Sequence, residues 1–294
     1  MRIGVTGASG FLGQRLVPAL QAAGHQIVRI GRGADSDVRW NPSAGVLDAA
    51  GCAGIDAFVH LAGANVGERW TPTHRREIRD SRVLGTALIA RTAAALSPRP
   101  RVLVCASAVG IYGNAGDVVL DEASPSGNDF LADVGRAWEA AADPARQAGI
   151  RTVHLRFGVV LSRRGGALAR MLPVFRLGGG GRLASGCQWM SWISMEDAVG
   201  VVQFALTHET LVGAVNAVAP SPVTNTEFTK TLARVVHRPA LFPVPAFALN
   251  LMFGEMAQGT LLASQRVVPR QLLAAGYAFR HATLEPALRA AVNE

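Results

Sequence analysis

The 294-residue sequence contains one lysine, Lys230, and two tyrosines, Tyr112 and Tyr277. It therefore holds no Tyr-x-x-x-Lys pair, and a tyrosine acid tuned by a lysine one helical turn away is excluded. Its three cysteines, Cys52, Cys105 and Cys187, are odd in number and lack metal-ligand spacing. They fit reduced thiols and a cytoplasmic protein. The seven histidines form no H-x-x-x-H or H-x-E pair, so no metal site is expected. No run reaches 18 apolar residues, so neither a membrane span nor a membrane partner is expected. The first apolar run begins at Arg2, with no charged leader before it, so no signal peptide is expected.

What is present suits a folded α/β chain. It is 49% hydrophobic and 17% charged, enough to bury a large core. The net charge of +8 is carried almost wholly by arginine. A basic balance fits an anionic partner, nucleic acid included. The arginines are scattered, however, with no run beyond pairs and no stacking platform, so nucleic acid is not the expected partner.

Hydrophobic periodicity predicts strands at 2–6, 25–30, 57–61, 102–106 and 152–157, and helices at 11–23, 73–96 and 130–148. Strands separated by helices argue for βαβ units and a doubly wound parallel sheet. The second half is different. Residues 163–186 are glycine-rich and read as a loop–helix–loop insert. A helix at 196–207 and a strand at 213–219 return to the sheet. From Thr226 the pattern is mostly helical and broken by prolines. The expected division is a nucleotide domain over 1–160, with 193–220 returning to it, and a smaller lobe over 161–294.

The stretch RIGVTGASGFLGQRL places Gly7, Gly10 and Gly13 between the first strand and the first helix. In such a loop the first glycine allows a sharp turn and the second lets backbone approach a pyrophosphate. The third lets helix and strand pack closely, while free N–H groups at the helix N-terminus face the anion. The second strand runs into Arg29-Ile30-Gly31-Arg32. Dinucleotide folds that take NAD usually place an acid there for the ribose 2′-OH, whereas an arginine suits the 2′-phosphate of NADP. NADP(H) is the expected cofactor. The alternative is that Arg32 is a solvated loop charge.

Several stretches together resemble the epimerase family of atypical extended short-chain dehydrogenase/reductases: VTGASGFLG, HLAGANVGERW, REIRDSRVLGT, ASAVGIYG, LRFGVVLSRRGGALARMLPVFRLGGGG, QWMSWISMED and the C-terminal GEMAQGTLLASQRVVPRQLLAAGYAF. The G-x-x-G-x-x-G spacing is shared across that superfamily; the later motifs are more specific. The resemblance spans nearly the whole chain. It implies a Rossmann-type sheet with a smaller, mostly helical C-terminal substrate lobe. It places pyrophosphate on Gly7, Gly10, Phe11 and Leu12, and the 2′-phosphate on Gly31 and Arg32. Leu61 and Ala62 would line the adenosine side, Glu77 and Arg82 would reach the cofactor, and Val159 would approach the nicotinamide. Packing at strand ends accounts equally for Leu61, Ala62 and Val159, and a surface salt bridge for Glu77 and Arg82.

In the same resemblance the usual tyrosine falls near Leu131 and the lysine near Gly135. Near the expected nicotinamide stand Ser107 and Tyr112, a candidate catalytic pair. Yet a tyrosine with no cationic neighbour titrates at about 10 and is a poor base at neutral pH. Arg156 either assists it or anchors a strand. Two functions stay open. One is an NADP(H)-dependent oxidoreductase or epimerase acting on a small, sugar-like molecule through a pocket at 64–71, 107–112 and 165–192. The other is a non-catalytic NADP(H)-binding regulatory or partner-binding protein. The apolar stretch Ala246–Met256 suits either the core of the smaller lobe or a homodimer contact.

Overall fold

In the computed structural model, which describes residues 1–294, the central sheet has eight strands. They are β1 (Arg2–Thr6), β2 (Gln26–Gly31), β3 (Val38–Asn41), β4 (Val46–Leu47), β5 (Ala57–His60), β6 (Val102–Ala108), β7 (Arg151–Phe157) and β8 (Gly213–Ala217). Their spatial order is β8-β7-β6-β5-β1-β2-β3-β4, and every pair is parallel except β3 with β4. From β1 the chain winds outward through β2 and β3, then crosses to β5 and winds the other way. The switch point lies between β1 and β5, where such sheets bind ligands at their carboxyl ends.

Alternation along the strands builds two cores. Ile3, Val5, Ala57, Val59, Val102, Val104, Val153 and Leu155 face helices α1 (Gly13–Ala22) and α6 (Met195–Thr207). Val28, Ile30, Phe58, Leu103 and Cys105 face α2 (Pro72–Ala95) and α4 (Asp143–Gln147) on the other side. Side chains of period two thus go to opposite faces, as a covered parallel sheet requires. The helix predicted at 130–148 is instead two, α3 (Phe130–Ala140) and α4. Pro144 lies in the first turn of α4, where its missing N–H costs nothing; further inside a continuous helix it would remove a bond. The sequence reading also missed β3, although Val38 and Trp40 alternate there, and β4, whose two residues carry no period.

A third core joins α5 (Gly166–Arg176), α7 (Asn225–Val235) and α10 (Leu284–Asn293) through Leu172, Phe175, Phe228, Leu232 and Leu288. With α8 (Ala246–Phe253) and α9 (Arg270–Ala274) these helices make the helical C-terminal region. Side-chain caps set several helix starts: Thr71, Asp129, Ser194 and Thr224 accept from backbone N–H groups of α2, α3, α6 and α7. The three cysteines are free. No helix is long and apolar enough to cross a membrane.

Candidate nucleotide site

The glycine loop connects β1 to α1 at the switch point. Gly7 has φ +69°, and a Cβ there would lie 3.0 Å from the Leu61 carbonyl carbon and the Ala62 nitrogen. This glycine therefore serves both the turn and the close approach to the end of β5. A Cβ on Gly13 would collide with the Gly7 carbonyl oxygen, so the third glycine brings α1 against the loop. Gly10 donates to the Gly7 carbonyl (2.9 Å) and accepts from Gln14 (3.0 Å). The N–H groups of Phe11 and Leu12, between them, donate to no acceptor in the protein. They are open donors at the N-terminus of α1.

Beside the loop lies a cleft of about 840 Å³. Gly7, Ala8 and Ser9 form part of its wall, with residues 29–33 at the end of β2, 41–43 at the end of β3 and 62–64 after β5. Glu77, Asp80 and Ser81 of α2, Gln14 and Gln21 of α1, and Asp35 also line it. Of the residues expected to touch cofactor, Gly7, Gly31, Arg32, Ala62 and Glu77 line this cleft. Gly10, Phe11, Leu12, Gly13, Leu61, Arg82 and Val159 lie outside its lining. The sequence reading did not include Arg29 or the 41–43 turn. The only sequence signal for that turn is the alternation of Val38 and Trp40, both buried, ahead of Pro42.

The side chains of Arg29 and Arg32 are exposed in the cleft wall and form no hydrogen bond or ion pair. A Cβ on Gly31 between them would lie 2.5 Å from Ser36 Oγ, a contact that a turn of the serine side chain relieves. Glu77 Oε2 lies 3.3 Å from His74 Nδ1. Arg82 donates to the Ile78 carbonyl (3.0 Å) and sits 4.9 Å over the Trp138 ring. Burial lowers its pKa to about 10, and no carboxylate balances its charge. It lies behind Gly63, whose Cβ would be 3.3 Å from Arg82 Cζ. Val159 donates to the Ser191 carbonyl (2.8 Å) and pairs with Trp192. The Phe11 ring is covered by Gly165 and Gly166, so the glycine-rich insert reaches back to the cofactor loop.

His60, at the end of β5, is fully buried. Thr6 Oγ1 accepts from the Leu61 and Ala62 amides (3.2 and 3.3 Å), so its own proton goes to His60 Nδ1 at 2.7 Å. Nε2 of the ring is buried and has no hydrogen-bond partner. Burial first, then the charge of Arg82, lowers its pKa to about 4. This histidine ties the ends of β1 and β5 together beneath the loop.

Ser107 and Tyr112 are both buried, each 3% exposed. Ser107 Oγ donates to Glu139 Oε1 at 2.7 Å. Arg156 grips both oxygens of Glu139 (2.8 Å each) and donates to the Tyr112 hydroxyl (2.9 Å). That hydroxyl in turn donates towards Asn216 Oδ1 (2.8 Å) and the Asp121 carbonyl (2.9 Å). Burial raises the Tyr112 pKa against the opposing pull of Arg156. Burial also pushes Glu139 up, but the hydrogen bonds and charge of Arg156, with Ser107, hold it below the usual carboxylate range. The phenol thus has a cationic neighbour, which the sequence reading raised only as an option, and its hydrogen bonds are spent inside the protein. The helix positions where the dyad was looked for pack tightly on the turn that carries Tyr112. A Cβ on Gly135 would stand 2.9 Å from Ile111 Cβ, and one on Gly110 would stand 3.4 Å from Leu131 Cβ.

Comparison with known proteins agrees with this architecture. The model of the NAD dependent epimerase/dehydratase family matches residues 3–217, and a domain of unknown function matches 244–291. An epimerase family protein of Mycobacterium tuberculosis is 43% identical, covering 97% of this chain and 96% of its own. Human epimerase family protein SDR39U1 is 36% identical over 98% of this chain and 99% of its own. The crystal structure of its isoform 2 with NADPH superposes with a TM-score of 0.91 at 35% identity, covering 100% and 99% of the two chains. A Bacillus cereus UDP-N-acetylglucosamine 4-epimerase, 19% identical with a TM-score of 0.76 over 99% and 97%, shares the fold.

Proposed function

This chain belongs to the NAD dependent epimerase/dehydratase family, and on that premise we propose that it is an NADP(H)-binding oxidoreductase or epimerase-like enzyme acting on a small, sugar-like substrate. The observation that carries the choice of nucleotide is the pair of unengaged guanidinium groups, Arg29 and Arg32, in the cleft wall at the end of β2. A planar guanidinium can fork onto a phosphate, and neither arginine is tied up in an ion pair, although Asp35, Glu77 and Asp80 line the same cleft. The NADPH named with the human relative supports the same choice.

In this reading the open amides of Phe11 and Leu12, with Gly7, Gly10 and Gly13, hold the pyrophosphate. Gly31 and Arg32 take the 2′-phosphate, and Leu61 and Ala62 border the adenosine. Glu77 and Arg82 reach the cofactor from α2, and Val159 borders the nicotinamide. When bound, the cofactor would supply a hydride to a carbonyl carbon of the substrate or accept one from the corresponding carbinol carbon. Ser107 and Tyr112 are the pair assigned to the substrate hydroxyl, with Arg156 favouring the phenolate. Residues 1–160, with 193–220, form the cofactor lobe, and 161–294 the substrate lobe.

One observation favours a second reading, a non-catalytic NADP(H)-binding protein. Tyr112 is buried with its hydroxyl engaged, and α3 is closed against Ile111 where the dyad would project. The test is to mix the NADPH complex with a panel of keto-sugars and their nucleotide conjugates and follow nicotinamide absorbance. Oxidation of NADPH by one class supports the enzyme. Tight NADPH binding with no oxidation, no NADP reduction by the corresponding alcohols and no interconversion of their epimers supports the second reading.

A further inference from the structure

One stretch of the C-terminal lobe keeps its apolar side chains in water. Helix α8 buries only Leu249. Phe247 and Leu251, one turn apart on the same face, are 74% and 76% exposed, with Met252 beside them. Leu241 and Phe242, just upstream, are 74% and 63% exposed, and Leu177 after α5 is 87% exposed. Backbone bridges pair Gly179 with Ala240 and Leu183 with Val244, so the segment after α5 lies beside the one leading into α8. The stretch suited a lobe core or a homodimer contact by sequence; in the fold most of it stands outside the core.

The charge of the same segments is one-sided. Between Arg163 and Met195 there are five arginines and no carboxylate, and between Phe228 and Gly254 there are Lys230, Arg234 and Arg238 and again no carboxylate. Arg238 Nε donates to the Arg176 carbonyl at 3.1 Å, which places these two residues side by side. Arg176, Arg182 and Arg238 form no ion pair, whereas Arg234 reaches Glu285 at 3.4 Å. Exposed apolar side chains gathered on adjoining segments mark an interaction surface more often than scattered ones do.

The occupant follows from charge and shape. A second copy laid on this face by a two-fold axis would set the same unpaired arginines against each other. Side chains three-quarters exposed project from the surface and do not line a groove for a peptide. A negatively charged surface with an apolar interior satisfies both features. We propose that this face docks peripherally on an anionic lipid surface, with Phe242, Phe247 and Leu251 entering the headgroup boundary and Arg176, Arg182 and Arg238 meeting lipid phosphates. The sequence expectation of no membrane partner rested on the lack of a spanning segment. Lying on a surface needs only projecting apolar groups beside cations.

The test is flotation of the full chain with vesicles of phosphatidylglycerol and phosphatidylcholine in equal parts, against phosphatidylcholine alone, at ~0.1 M and ~0.5 M salt. The wild type is expected to float with the anionic vesicles. Binding should fall at least about tenfold in phosphatidylcholine, in high salt, in the Phe247→Ser/Leu251→Ser variant and in the Arg176→Glu/Arg238→Glu variant. An unchanged melting temperature in both variants establishes that they fold. Three results would overturn the proposal: no flotation of the wild type, flotation of the serine variant equal to wild type, or a wild-type dimer in light scattering that the serine variant converts to monomer. The last would mean that a second copy covers the face.

Discussion

Ile111 fills the space that a side chain on Gly135 would need: a Cβ there would meet Ile111 Cβ at 2.9 Å. Helix α3 and the turn behind β6 are therefore in direct backbone-level contact where the resemblance looks for a lysine. Alanine ordinarily stabilises a helix interior by about 1 kcal/mol over glycine. Here Gly135→Ala is expected to lose about 1–3 kcal/mol instead, because the overpacked turn must shift. Urea unfolding of the variant decides it; a gain in stability would show that α3 has room for a side chain at this position.

The Tyr112 hydroxyl joins Arg156 to Asn216 across the interior. Tyr112→Phe removes it and leaves buried polar partners short of a bond, at a cost of about 1–3 kcal/mol. NADPH affinity should stay unchanged. If the variant also abolishes NADPH oxidation by an active substrate while its KM holds, the phenol handles the substrate proton. If oxidation persists, the hydroxyl only holds the network together.

His60 makes stability depend on pH. Its pKa is about 4 in the fold against an ordinary value of 6.5. Between those values the unfolded chain binds a proton that the folded chain refuses, so stability falls as pH drops through that window. The loss attributable to this residue approaches about 3 kcal/mol by pH 4. His60→Leu, although less stable at neutral pH, should show a flatter pH dependence between 6.5 and 4 in denaturant titrations. An equal slope in both proteins would contradict the assignment.

The glycines of the loop differ in what they tolerate. Gly13→Ala drives a methyl into the Gly7 carbonyl and should cost both stability and nucleotide binding. A Cβ on Gly10 meets that carbonyl at 3.1 Å, a contact that a small shift relieves. Gly10→Ala should fold near wild-type stability and weaken NADPH by about tenfold, because backbone could no longer approach the pyrophosphate closely. Thermal melts with and without NADPH separate the two.

Much of this was legible in the sequence because long strands and helices carry a period. The runs at 2–6, 57–61, 102–106 and 152–157 became sheet strands, and the glycine spacing located the switch point. Short elements were not legible: β4 has two residues, and two residues carry no alternation. The break between α3 and α4 was visible only as Pro144. The Glu139–Arg156–Tyr112 network could not be read from spacing, since it joins a helix, a strand and a turn brought together only by the sheet. Arg29 escaped for another reason: inside a strand a charge reads as a solvent-facing residue, and only the fold brings it into one cleft with the 41–43 turn.

The central claim is that the cleft at the end of β2 selects NADP(H) through Arg32. Calorimetric titration of the nucleotide-free protein with NADPH and NADH, in wild type and Arg32→Glu, tests it most directly. The account predicts that the wild type prefers NADPH, and that the variant loses about tenfold to a hundredfold in NADPH affinity while keeping that for NADH. Equal wild-type affinity for the two nucleotides, or equal loss of both in the variant, would contradict it.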